Sequence, residues 1–145
     1  MIPLADCSIP IDSDIPKVVS FVANESIDNQ HGFNGRHVIA DIYGLEPQTL
    51  NNLGKLKTAL TDAASLSRAT VLAVSHFQFS PNGITLLLLL AESHVALHTY
   101  PTEGRAFFDS FTCGTKCDPE VILTEFCKIF ENPRSRKISL MRGDL

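Results

Sequence analysis

The residues best suited to chemistry lie close together in the later part of the chain. Ser93 follows Glu92, His94 and His98 come next, and Cys113 lies twenty residues after the serine. A serine hydroxyl is a nucleophile when a base takes its proton, a histidine exchanges protons near neutral pH, and a thiol can donate one. The stretch therefore predicts a site that combines a nucleophile, a base and a proton donor.

Five consecutive leucines, residues 86–90, lead into this stretch. A bilayer-spanning helix needs about 20 apolar residues, so the run is too short to be one. A short apolar run is typical of a strand buried on both faces. The polar residues are therefore expected where a buried strand ends.

Three motifs carry a family resemblance, and they read Glu92-Ser93-His94, His98-Thr99-Tyr100-Pro101 and Phe111-Thr112-Cys113-Gly114. In order and spacing they resemble the prokaryotic S-adenosylmethionine decarboxylase proenzymes, which are self-cleaving and pyruvoyl-dependent. The resemblance covers residues 35–143, including a similar Gly-Arg-His start at Gly35. It implies decarboxylation of S-adenosylmethionine for polyamine synthesis.

The resemblance also implies a route to the cofactor. Ser93 would attack the carbonyl of Glu92, and the chain would split between residues 92 and 93, leaving a covalent pyruvoyl group derived from Ser93 on the second of two chains. His98 matches the processing base, Thr85 stands where the family has a helper serine, and Cys113 matches the proton donor of turnover. Such a carbonyl supplies the electron sink that a decarboxylation needs and that ordinary side chains lack.

Two further residues are matched to substrate binding by the resemblance. Phe79 corresponds to an aromatic residue that stacks on adenine, and a stacked ring suits a nucleoside. The family usually reads His-Thr-Trp-Pro-Glu, with the glutamate on the ribose hydroxyls. Here Thr102 takes that position and Glu103 follows it, so Glu103 is the candidate ribose ligand.

The offset between Ser93 and His98 imposes a condition on the backbone. Residues five apart on a regular strand point to opposite faces. A kink or bulge is therefore predicted near residues 93–94. His94 is assigned a structural role.

Apolar periodicity predicts an α+β fold, a two-layer sandwich with a mainly antiparallel sheet and helices packed on one face. One helix is predicted from Pro47 to about Ala64, and a second follows the Asp118-Pro119 cap as far as residue 130. The strands are predicted at 38–43, 70–79, 84–91, 94–98, 105–112 and 136–142. Residues 1–34 are interpreted as a partly ordered extension, and 35–145 as one domain.

Composition narrows the function. The chain has 145 residues, with 12 Lys and Arg against 16 Asp and Glu, so it offers no basic surface for nucleic acid. No secretory signal or membrane anchor is recognisable, and a cytoplasmic location is expected. Cys7, Cys117 and Cys127 are then interpreted as free, small apolar residues. A chain this small barely encloses a substrate alone, so a homodimer with sites near the interface is expected, as the family resemblance also suggests.

Other functions remain open at this stage. The same pyruvoyl chemistry could act on a basic amino acid such as ornithine or arginine, or the chain could be an uncleaved, non-catalytic homologue. A zinc tetrad of His94, His98, Cys113 and Cys117 is disfavoured because Val95 and Leu97 alternate as in a strand, and no metal is expected. A serine hydrolase is disfavoured because no G-x-S-x-G motif is present.

Overall fold

The computed structural model describes residues 20–21 and 33–143. Most of the predicted extension, and Cys7 with it, lies outside these residues. The described part contains seven strands, three α-helices and a short 3-10 helix at Pro101–Glu103. The strands are β1 (Ser20–Phe21), β2 (Gly35–Tyr43), β3 (Val71–Gln78), β4 (Ile84–Leu90), β5 (Ser93–Tyr100), β6 (Arg105–Cys113) and β7 (Arg134–Arg142).

All seven strands form one antiparallel sheet in the order β1-β3-β4-β5-β6-β2-β7. Strands β3 to β6 are consecutive hairpins, as their short connections dictate. Strand β2 pairs with both β6 and β7, so β7 closes one edge of the sheet and the two-residue β1 lies at the other. This order places β5 at the centre of the sheet, between β4 and β6.

The three helices are α1 (Pro47–Leu50), α2 (Leu53–Leu66) and α3 (Pro119–Cys127). Side chains of α2 and α3 share one buried core with alternate residues of the central strands, and Leu60, Leu86, Leu97, Phe108 and Phe126 are almost completely inaccessible. Because strand side chains alternate, one face of the sheet supplies this whole core. The predicted α+β sandwich with helices on one face is confirmed.

The single helix predicted from Pro47 is wrong, because the chain forms two helices there. Asn52 has an extended backbone, and its side-chain oxygen accepts a hydrogen bond from the Lys55 backbone N–H at 2.9 Å. Asparagine is a strong N-cap residue, so it begins a new helix more readily than it continues an old one. The apolar spacing across residues 47–64 concealed this break.

The opposite face of the sheet carries no helix of the described chain, and we call it the open face. Its large apolar side chains are between two-fifths and two-thirds exposed: Ile39, Leu87, Leu89, Phe107 and Ile138. The leucine run of β4 alternates accordingly, with Leu86 and Leu88 in the core and Leu87 and Leu89 on the open face. The prediction that this strand is buried on both faces is therefore wrong for a single chain.

No helix in the described residues is both long and apolar enough to cross a bilayer.

Candidate active site

The residues Ala91 and Glu92 form a two-residue loop that joins β4 to β5. Leu90 pairs directly with Ser93, so the loop is as short as a β-hairpin allows. The predicted cleavage point, between Glu92 and Ser93, thus lies where a tight turn enters the central strand of the sheet. The prediction that the polar cluster follows the end of a strand is confirmed.

Contacts to Thr70 hold this loop in place. The Glu92 carboxylate accepts hydrogen bonds from the Thr70 backbone N–H at 2.9 Å and from its hydroxyl at 3.2 Å. The Ala91 N–H donates to the Thr70 carbonyl at 2.9 Å. Three bonds to one residue leave the loop little freedom, and the backbone carbonyl of Glu92 is thereby fixed in direction.

That carbonyl points at the neighbouring strand. The Cys113 backbone N–H, at the end of β6, donates to the Glu92 carbonyl oxygen at 2.9 Å. A fixed N–H donor polarises a carbonyl and stabilises the negative oxygen that forms when a nucleophile adds to it. Cys113 therefore lies beside the bond that the sequence analysis selected for cleavage.

The backbone of Ser93 is unusual. Its φ is +149°, a value that L-residues with a side chain rarely adopt. A backbone held in such a region costs about 1–3 kcal/mol, and such strain persists where the surrounding structure imposes it. A kink or bulge was predicted near residues 93–94. No bulge is present, because β4 and β5 stay in register from Ser93 to His98, and the distortion takes the form of this dihedral alone.

Polar side chains surround Ser93 on the open face. The Ser93 Oγ lies 3.2 Å from His94 Nδ1, and His94 Nε2 lies 3.0 Å from an oxygen of Asp109. The other Asp109 oxygen lies 2.9 Å from His37 Nε2. We call Ser93, His94, Asp109 and His37 the Ser93 cluster; sequence reasoning missed it, since His94 was assigned a structural role and Asp109 and His37 none.

A second group of candidate residues meets at the other end of β5. His98, Thr85, Phe79 and Glu103 all line an open cavity of about 490 Å³, which we call the His98 pocket. The Thr85 hydroxyl lies 2.9 Å from His98 Nδ1. Four residues that the sequence analysis selected separately thus share one cavity, while Thr102 is absent from its lining.

The two groups are well separated within one chain. Strand β5 runs in register from Ser93 to His98, and five residues of strand span roughly 16 Å. The distorted backbone at Ser93 does not bring its hydroxyl to the His98 imidazole. One chain therefore holds the two halves of the predicted site at opposite ends of its central strand.

The thiols differ in their surroundings. Burial raises the pKa of Cys117, which is enclosed beside Ser67, and raises the pKa of Cys127 to about 11. A thiol whose pKa is raised holds little thiolate at neutral pH and is a poor nucleophile. Cys113 differs from both in its place beside the hairpin loop.

No metal-binding group is found among residues 20–21 and 33–143. There, no set of three or more His, Cys, Asp or Glu side chains is arranged to hold a metal ion. The four candidate zinc ligands divide between the two ends of β5 and the buried Cys117.

Comparison with known proteins gives consistent matches. The family model described as S-adenosylmethionine decarboxylase matches residues 36–143. An S-adenosylmethionine decarboxylase proenzyme of Brevibacillus brevis is 40% identical over 109 residues, which are 75% of this chain and 82% of that protein. One from Pyrobaculum islandicum is 35% identical over 111 residues, 76% of this chain and 86% of that one.

A solved structure agrees with the sequence matches. The crystal structure of the adenosylmethionine decarboxylase from Aquifex aeolicus superimposes with a TM-score of 0.68 at 31% identity, covering 77% of this chain and 92% of that chain. The family resemblance that the three motifs carried is thus confirmed over residues 36–143.

Proposed function

Since this chain belongs to the S-adenosylmethionine decarboxylase family, we propose that it removes carbon dioxide from S-adenosylmethionine to make an aminopropyl donor for polyamine synthesis. The catalyst would arise by self-cleavage between Glu92 and Ser93. One observation carries this proposal: the bond to be broken joins a strained serine to a carbonyl that already accepts a fixed N–H donor. These two features fit a chain that makes its own carbonyl group.

Self-cleavage begins with the hydroxyl of Ser93. Its Oγ adds to the Glu92 carbonyl carbon, the negative oxygen is stabilised by the Cys113 N–H, and breaking of the C–N bond leaves an ester. The distortion at Ser93 favours this step because the strain disappears with the peptide bond. Removal of the Ser93 α-proton then expels the Glu92 carboxylate, which separates residues 1–92 and leaves a dehydroalanine at position 93. Water hydrolyses this residue to the pyruvoyl group, and its nitrogen leaves as ammonia.

A pyruvoyl group derived from Ser93 supplies a carbonyl that takes up the substrate amine and accepts the electrons left behind by carbon dioxide. The chain's own residues do the remaining work. Cys113 lies beside the new terminus, and its thiol is proposed as the proton donor to the substrate α-carbon. Sheet pairing of β4 with β5 and of β2 with β6 holds the two pieces together after the cut.

The His98 pocket is proposed to bind the nucleoside. Phe79 is half exposed at its rim and lies 4.8 Å from Phe77 between ring centres, in a T-shaped arrangement. The exposed part of its ring is proposed to stack on adenine. Glu103 follows Pro101 in the 3-10 helix and lines the same cavity. A carboxylate accepts hydrogen bonds from two adjacent hydroxyls, as a ribose presents them.

Substitution of Glu103 tests this assignment. In the Glu103→Gln variant the KM for S-adenosylmethionine should rise on the order of tenfold, because a hydrogen bond to a charged acceptor contributes about 1.5–3 kcal/mol. Thr102→Ala is the matched control, with KM expected within about twofold of wild type since Thr102 lies outside the pocket. Steady-state kinetics are the measurement. A KM that rises more in Thr102→Ala than in Glu103→Gln would contradict the assignment.

The reaction itself is tested by release of labelled carbon dioxide. Carboxyl-labelled S-adenosylmethionine should give labelled gas with wild-type protein, and carboxyl-labelled ornithine and arginine should give none. Ser93→Ala should abolish release, because the variant has no hydroxyl from which to make the carbonyl. Ser65→Ala, an exposed serine on α2, should retain it. Gas from ornithine or arginine alone would refute the substrate assignment.

We further propose that the chain acts as a homodimer formed through the open face. This face exposes the large apolar side chains of β2, β4, β6 and β7, and exposed apolar side chains grouped on one face mark a protein–protein interaction site. The Ser93 cluster and the His98 pocket both border this face, at opposite ends of β5. A two-fold axis that stacks β5 antiparallel over β5 places the Ser93 end of each chain against the His98 end of the other.

Such a dimer predicts complementation between two inactive variants. Neither Ser93→Ala nor His98→Ala should self-cleave alone. Co-expressed, the His98→Ala chain should be cut, because its Ser93 receives His98 and Thr85 from the other chain. Intact mass of each differently tagged chain is the measurement.

The control is co-expression of His98→Ala with the Ser93→Ala/His98→Ala double variant, which should give no cut chain. Tag pull-down shows whether mixed dimers of Ser93→Ala and His98→Ala form. If they form and the His98→Ala chain is still not cut, an active site shared between the two chains is contradicted.

A further inference from the structure

A chain of hydrogen bonds leads from the Ser93 hydroxyl across three strands of the open face. It passes from Ser93 Oγ to His94 Nδ1 (3.2 Å), from His94 Nε2 to Asp109 (3.0 Å), and from Asp109 to His37 Nε2 (2.9 Å). Strand pairing explains the approach, because His94 lies opposite Phe111 on β6 and Phe111 lies opposite His37 on β2. This arrangement is separate from the His98 pocket at the far end of β5.

The hydrogen-bond partners indicate which nitrogen of each neutral imidazole carries its proton. Arg142 donates at 3.5 Å to His37 Nδ1, and a guanidinium has no acceptor, so the proton of His37 is on Nε2 and points at Asp109. Asp109 accepts from both imidazoles through its two oxygens. His94 therefore carries its own proton on Nε2, which leaves the lone pair of Nδ1 facing the Ser93 hydroxyl.

The unusual backbone of Ser93 makes this contact possible. Neighbouring residues of a regular strand point to opposite faces, so their side chains do not ordinarily meet. With φ at +149°, the Ser93 side chain departs from this alternation and its Oγ comes within 3.2 Å of the next residue's ring. The same dihedral that strains the bond to be broken thus supplies the nucleophile with a base.

Phe111 and Arg142 fix the rings in place. Phe111 packs against His37 at 5.6 Å and against His94 at 6.4 Å between ring centres, and the Arg142 guanidinium lies 4.5 Å above the Phe111 ring. The His94 imidazole is therefore held by the Phe111 ring and by the Asp109 carboxylate, whose two oxygens each contact one histidine. It is oriented before any reaction begins.

We propose that His94 is the catalytic base for the first step of self-cleavage, with Asp109 and His37 as positioning residues. The inference rests on the self-cleavage proposed above. As Ser93 Oγ bonds to the Glu92 carbonyl carbon, its proton passes to His94 Nδ1. As the bond between that carbon and the Ser93 nitrogen breaks, the imidazolium returns the proton to this nitrogen, and the ester forms with no net gain or loss of protons.

This assignment divides the two proton transfers between two histidines. His94 serves the exchange of peptide for ester, and His98 serves the later removal of the Ser93 α-proton. Hydroxylamine at neutral pH distinguishes the two stages, because it cuts an ester rapidly while peptide bonds, including Asn34–Gly35 and Asn82–Gly83, stay intact. A chain blocked at the first stage resists the reagent, and a chain blocked at the second is cut by it between residues 92 and 93.

The test follows newly made full-length chain by cell-free synthesis, chase and denaturing electrophoresis. His94→Ala should self-cleave on the order of 100-fold more slowly than wild type, since a positioned base contributes about 10²–10⁴-fold. The accumulated chain should resist hydroxylamine, and added imidazole should accelerate its cleavage. His98→Ala should instead accumulate chain that hydroxylamine cuts. His76→Ala on β3 is the matched control and should cleave at the wild-type rate.

Two results would each overturn the inference while leaving the proposed function intact. These are a His94→Ala half-time within threefold of wild type, or a His94→Ala chain that accumulates as hydroxylamine-sensitive ester. Absence of cleavage in wild-type chain would instead refute the proposed function itself.

Nitrogen NMR of the histidines tests the role of His94 even if the His94→Ala variant fails to fold. In uncleaved Ser93→Ala protein with ¹⁵N-labelled histidine, His94 should be protonated at Nε2 and bare at Nδ1. Asp109→Asn in the same background should shift that balance. A proton resident on Nδ1 of the neutral ring would overturn the assignment.

Discussion

The hydrogen bond from the Cys113 N–H to the Glu92 carbonyl is the contact on which the site depends. It joins the end of β6 to the hairpin loop between β4 and β5, so it exists only because these three strands are neighbours in register. The loop has two residues and is tied to Thr70, which leaves the entry into β5 no room to relax. Ser93 accordingly takes up the distortion, and the strained residue is the one that directly follows the bond to be cleaved.

The open face explains why only one side of the sheet carries helices. Helices pack against the central strands on one side, and the other side retains exposed apolar side chains beside the polar residues of the Ser93 cluster and the His98 pocket. Burial of apolar area drives association, whereas polar residues on the same surface fix how the partners align. The open face is mostly apolar, and its polar residues are grouped at the two ends of β5. This arrangement suits an interface that contains an active site better than one that only joins two chains.

Sequence patterns could predict most of the fold, and only part of the site. Periodicity identified six of the seven described strands and the capped helix at Asp118, and it did not predict the two-residue β1. The break at Asn52 depends on a local hydrogen bond, which periodicity does not register. The four residues of the His98 pocket were each predicted separately: His98, Thr85, Phe79 and Glu103. They share one cavity because of how β4 pairs with β5, and the spacing of residues along the sequence does not reveal that pairing. His94 was misjudged because adjacent strand residues normally face apart, and a positive φ at a serine has no sequence signature.

The intact mass of freshly purified protein tests the central claim most directly. The account predicts two chains that part between Glu92 and Ser93, the second of which lacks a free amino terminus and gains the mass of a carbonyl reagent such as phenylhydrazine. One undivided chain of 15.9 kDa, unreactive toward that reagent, would contradict it.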